Sequence, residues 1–174
     1  MNSLFADTEE WGQVFVIDSD ALIDIKLEIS VAEQWDVGVD IVRAAENHEL
    51  LIPIQVHNEV VNVRHPDFPA PLASKVWSII QGRAHVRPSP WALRKVLATE
   101  LSWIGTLGSE EEDIADPYVI ALALDLKQVR QGETVAVVAH DNLVRSTCDS
   151  LGLRCLELTE FLSHIRNNPP NHRG

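Results

Sequence analysis

The chain has 174 residues, with 45% hydrophobic and 23% charged content, enough for one domain with a packed core. No apolar run approaches the roughly 20 residues that cross a bilayer, and MNSLFADTEEWGQ lacks the basic and apolar segments of a signal peptide. The net charge of −12, from 26 acids against 14 Lys and Arg, speaks against a basic nucleic-acid-binding face, unless part of it is a carboxylate cluster neutralised by a cation.

Residues 1–12 read as a polar tail, and VFVID (14–18) as a buried parallel strand closing on an acid. SDALIDIKLEI has helical spacing of Leu22, Ile25 and Ile29. VAEQWDVGVDIVRAAENHE (31–49) is expected as a second helix, with Trp35, Val39, Val42 and Glu46 near one period and Gly38 as a weak point. LLIPI (50–54) reads as a strand, and QVHNEVVNV (55–63) as a helix broken at His65-Pro66. PDFPAP (66–71) carries three prolines in six residues and is expected as a loop.

LASKVWSIIQ (72–81) is expected to be helical, AHVRP (84–88) a strand or connector, and PWALRKVLATELSWIG (90–105) one helix from Pro90 to Gly105. SEEEDIADP (109–117) reads as an acidic loop before a strong helix, YVIALALDLKQVRQ (118–131), ended by Gly132. TVAVVAH (134–140) is a third strand reaching Asp141, and NLVRSTCDSLG (142–152) a helix. LRCLEL (153–158) is a short strand, TEFLSHI (159–165) a last helix, and 166–174 a disordered tail. The alternation predicts one α/β domain over 13–165: a three-layer α/β/α sandwich around a mainly parallel sheet of four to five strands. Cys148 and Cys155 give neither a disulfide framework nor a CxxC metal spacing, and the expected location is cytoplasmic.

Four acids fall at αβ junctions. Asp18 and Asp141 follow strands, where open parallel sheets bind ligands. Glu59 lies about a turn into a helix, and Asp116 precedes Pro117 at a helix start. Asp before Pro also suits a plain N-terminal cap. Four carboxylates converging on one sheet edge repel unless a cation compensates. Magnesium takes hard oxygen ligands, keeps several waters, and activates water for in-line attack on a phosphodiester.

These segments resemble the PIN domain. VIDSDALI (16–23) is similar to that family's strand ending in Asp then Ser or Thr, with Ala-Leu following. PIQVHNE (53–59) has its Pro-x-x-Val-x-x-Glu, DPYVIALA (116–123) its third motif, and VVAHD (137–141) its fourth. The resemblance spans roughly 13–165 and is to the small stand-alone bacterial PIN-like proteins, many of them toxins of toxin–antitoxin pairs. It implies a Mg2+- or Mn2+-dependent endoribonuclease acting on single-stranded RNA, with Asp18, Glu59, Asp116 and Asp141 as its acids and Ser19 as an accessory polar residue. It also implies a homodimer and an antitoxin as partners. Two positions depart from the pattern: Ala139 stands for the usual Thr or Ser, and Arg145 where a further acid is often found. One metal ion or two is therefore left open.

Other residues carry two readings. Asp20 is an accessory to the site or merely a charge favoured by the helix dipole, and Asp113 is a spare ligand or part of a solvated loop. His140 adjoins Asp141 and reads as exposed; His57 reads as surface. Arg43 and Arg145 are lone charges. Arg83, Arg87, Arg94 and Lys95 beside Trp77, Trp91 and Trp103 form a strand-binding face, or the tryptophans are core or a dimer interface. Two rival functions remain: a haloacid-dehalogenase-type phosphatase with Asp18 as nucleophile and Asp20 as acid/base, and a degenerate PIN-like protein-binding module.

Overall fold

A computed structural model describes residues 12–62, 67–107 and 114–167. Its centre is a four-stranded parallel sheet of β1 (Gln13–Ile17), β2 (Leu50–Leu51), β3 (Thr134–Val138) and β4 (Arg154–Leu156), in the order β2-β1-β3-β4. The two central strands explain their own sequences. Val14–Ile17 and Val135–Val138 are buried throughout, so neither shows the apolar–polar alternation of a half-wetted strand. Ile17 stands opposite Val138, and the Asp18 amide donates to the Val138 carbonyl at 3.0 Å. β1 and β3 thus end level, on one edge.

The helices are α1 (Ser19–Glu28), α2 (Val31–Glu46), α3 (Ile54–Asn62), α4 (Pro69–Ile80), α5 (Pro90–Thr99), α6 (Asp116–Val129), α7 (Asn142–Ser150) and α8 (Leu158–Asn167), with a 3₁₀ segment at Leu101–Thr106. α6 lies on β1 and β3 beside α7, which covers β4; α2 lies on β2 and touches α1 and α8. With right-handed crossovers these groups take opposite faces, giving the three-layer α/β/α sandwich. α6 is further covered by α5. Burial from Pro117 to Leu124 follows, and explains a helix that is apolar all round. The chain runs from β1 outward to β2 and then back across to β3. Adjacent connections therefore diverge between β1 and β3, which is where such sheets open a ligand crevice. Among the described residues no helix is long and apolar enough to cross a membrane.

Several elements differ from the sequence expectation. α2 buries Val37, Ile41, Ala44 and Ala45, while Trp35 is 75% exposed and Val39 43% exposed. Gly38 is a packing site, not a weak point: a Cβ there would lie 2.9 Å from the Phe68 ring. The proline-rich stretch opens α4 at Pro69, because the first helical turn needs no N–H donors. AHVRP is a connector. The expected helix over 90–105 stops at Thr99, where Glu100 turns extended and caps the 3₁₀ segment through the Ser102 amide. α8 runs on through Arg166 and Asn167, which belong to it and not to a tail. Residues 1–11, 63–66 with the expected helix break at His65-Pro66, 108–113 and 168–174 lie outside the described residues.

Candidate functional site

Asp18 stands at the end of β1, where the connections to β2 and β3 diverge. It caps α1, its Oδ1 accepting from the Ser19 amide at 2.7 Å. The residue has no exposed surface, and its second oxygen, Oδ2, is buried without a hydrogen-bond partner. A buried charged oxygen left unpaired is costly. Burial is the main reason the Asp18 carboxyl sits well above the usual carboxylate range, with Asp116, Asp20 and Glu59 adding repulsion.

Three more acids rise around it from separate elements. Glu59, in α3, is held at both oxygens: the Ser19 hydroxyl donates to Oε2, and the Ala115 amide donates to Oε1 at 3.3 Å. Asp116 is the first residue of α6, and the cap position belongs to Ala115. The capping explanation for Asp116 therefore fails. Its carboxyl is pushed up to about 6 by burial first, then by Glu59, Asp141 and Asp20. Asp141 does cap its helix, with Oδ1 accepting from Leu143 at 2.8 Å and Val144 at 3.1 Å.

The sheet thus brings all four predicted acids, with the exposed Asp20, into one electrostatic neighbourhood. Glu59, Asp116 and Asp141 are partly exposed, so the cluster opens to solvent above Asp18. Among the described residues no three His, Cys, Asp or Glu side chains form a ready-made metal cage. The donor set does fit a hydrated magnesium or manganese ion, which needs one or two direct carboxylates and keeps most of its waters. All these donors are hard oxygens, one of them is an orphan, and the excess negative charge calls for a cation.

The other predicted residues fall out as follows. Ser19 is buried and links Asp18 to Glu59. Asp113 lies outside the described residues. His140 is half exposed and pairs through Nδ1 with Asp24 of α1 at 2.6 Å, a link between distant segments that gave no signal in the sequence. Arg145 is not a lone charge, since it pairs with Glu157 just after β4; Arg43 likewise pairs with Asp40 at 3.3 Å. His57 is half-buried, its ring 6.0 Å from Trp77. The basic–aromatic group is dispersed. Trp103 is core, Trp77 is partly buried, and Arg83 caps α2 through the Ala45 and Glu46 carbonyls at 2.5 and 3.3 Å. What stays on the surface is Trp91, with the Lys95 ammonium 5.2 Å from its ring centre, together with the exposed Arg87 and Arg94.

No protein-family model matches the chain, and no curated protein is detectably similar to it.

Proposed function

We propose that this protein is a PIN-type, metal-dependent endoribonuclease that hydrolyses phosphodiester bonds of single-stranded RNA. The observation that carries the reading is the acid cluster at the divergence of β1 and β3, which includes a buried Asp18 oxygen with no partner. The motif resemblance supplies the substrate class. A bound magnesium or manganese ion would supply charge stabilisation for the phosphate and a more acidic water. Asp18 and Asp116 are the direct ligands in this reading. Glu59 and Asp141, each already committed to protein donors, act through bound water or orient the attacking one. Ser19 fixes Glu59 relative to Asp18.

The phosphatase alternative gives no role to Glu59, whose two oxygens are held by Ser19 and Ala115 beside Asp18. The toxin role, the antitoxin, a homodimer and a cytoplasmic site of action belong to the same reading. A net charge of −12 suits a basic protein partner.

The test is cleavage of a single-stranded RNA with manganese or magnesium, against the Asp116→Asn protein and against chelator. Metal-dependent cleavage that the substitution abolishes supports the nuclease. Hydrolysis of small phosphoesters that depends on Asp20 but not Glu59 would replace it with the phosphatase. No cleavage with any metal, and no thermal stabilisation by metal, would leave the protein-binding module.

A further inference from the structure

Among the described residues two buried side-chain atoms lack a hydrogen-bond partner, Asp18 Oδ2 and Gln55 Oε1. Asp18 directly follows β1 and Gln55 lies four residues beyond β2 in α3, at the same edge of the sheet, because Val16 stands opposite Leu51 in parallel register. Gln55 is four residues before Glu59 on α3, so the two share one helix face. That face is the one turned to the cluster, since Glu59 on it receives the Ser19 hydroxyl and the Ala115 amide. Gln55 is only 4% exposed.

An unpaired carboxamide oxygen at such a depth costs stability, and an apolar residue of similar size would avoid the cost. Keeping a polar side chain there makes sense if something outside the protein donates to it. We infer that Gln55 Oε1 belongs to the cation site, accepting a hydrogen bond from a water carried by the hydrated metal. This rests on the metal-dependent reading above. The chemistry favours a neutral group at this position. Asp18, Asp20, Glu59, Asp116 and Asp141 already crowd the cluster with negative charge, and a carboxamide adds an acceptor without adding to it. A metal-bound water is a polarised donor and needs such acceptors beyond the direct ligands.

Gln55→Met and Gln55→Glu separate this role from a structural one, with manganese(II) alone as the probe. The melting temperature of the full chain is measured in chelator, and manganese affinity by calorimetry. The Met protein is expected to melt no lower than the parent without metal, and to bind manganese about 10- to 100-fold more weakly, as loss of a ligand-supporting hydrogen bond does. The Glu protein, which keeps the oxygen but adds a charge, is expected to melt lower without metal and to bind manganese at least as tightly as the parent. Unchanged affinity in the Met protein overturns the inference and leaves the metal reading intact. A Met protein that is unfolded or less stable in chelator also overturns it, because the amide would then serve the fold. A parent protein that binds no manganese overturns the metal reading itself, and this inference with it.

Discussion

Asp116→Asn should make the metal-free protein more stable while removing its activity. Folding raises the Asp116 carboxyl from its ordinary 3.8 to about 6, chiefly through burial and then through Glu59, Asp141 and Asp20. The native state therefore holds a proton that the unfolded chain releases, and stability falls as pH rises from about 4 to 6 and stays low above. At about 1.36 kcal/mol per pH unit the full effect is about 3 kcal/mol. Partial exposure of the side chain reduces it to about 1–2 kcal/mol. The favourable interaction of a carboxylate with the N-terminus of α6 works the other way and is smaller, about 0.3–1 kcal/mol. Asparagine keeps the shape and drops the charge, so at pH 7.5 in chelator the variant should melt roughly 2–5 °C higher. The difference should shrink as the pH is lowered toward 4, where the folded parent's carboxyl is protonated and the unfolded chain's begins to be. Saturating magnesium should reverse the order, since it stabilises only a site that binds it. The assay is thermal unfolding across pH with and without metal. An Asn protein that melts below the parent at pH 7.5 in chelator would refute the reasoning, because the carboxylate would then be serving the fold.

Asp141→Asn should keep the melting temperature in chelator within about 2 °C, since asparagine caps a helix as well as aspartate does, yet lower metal-dependent cleavage; a large fall in melting temperature would assign Asp141 to capping alone. Gly38→Ala should cost about 1–3 kcal/mol by forcing the Phe68 ring off α2, read as a lower urea midpoint. Ser89 caps α5 through the Ala92 amide at 3.1 Å and donates to Asp125 of α6 at 2.8 Å; Ser89→Ala should cost about 1–2 kcal/mol in the same assay.

Much of the frame is legible in the sequence, for a physical reason that particular segments illustrate. VFVI and VAVV are apolar on both sides because the sheet buries both of their faces, and an acid follows each strand, Asp18 at once and Asp141 after Ala139 and His140. Asp18 and Asp141 could be placed by that logic, whereas Glu59 and Asp116 rest on helix starts and the motif resemblance. α2 could not be oriented from its sequence, because it offers two apolar faces. The one with Gly38, Ala44 and Ala45 wins since small residues let the helix approach its neighbours closely, and a Trp35 indole has no room there. Pro69 misled for a related reason: prolines that break a helix interior are welcome in its first turn. Within the site, the sequence could not reveal which oxygen of each acid is already spent. Asp18 and Asp141 each commit Oδ1 to a helix start, and Glu59 commits both of its oxygens to Ser19 and Ala115. Those links, like Asp24 with His140, join residues far apart in the chain and leave no local periodicity. Gln55 carries no mark in the sequence beyond standing one turn before Glu59, and its burial follows from the fold.

The pairing of β1 with β3 has a consequence for how the protein comes into being. Gln13 lies beside Thr134, so the middle of the sheet joins a strand from the start of the chain to one synthesised some 120 residues later. Closing so long a loop is entropically slow and depends on late-made segments. On a ribosome, β1 must wait with one flank unpaired until β3 has emerged, and an exposed apolar strand in that interval is open to association with other chains. Asp18 meets Asp116 and Asp141 only when the sheet closes, so a chain cut short before β3 would lack an assembled acid cluster; under the proposed nuclease reading, this delay would keep a hydrolytic centre from forming on the nascent polypeptide.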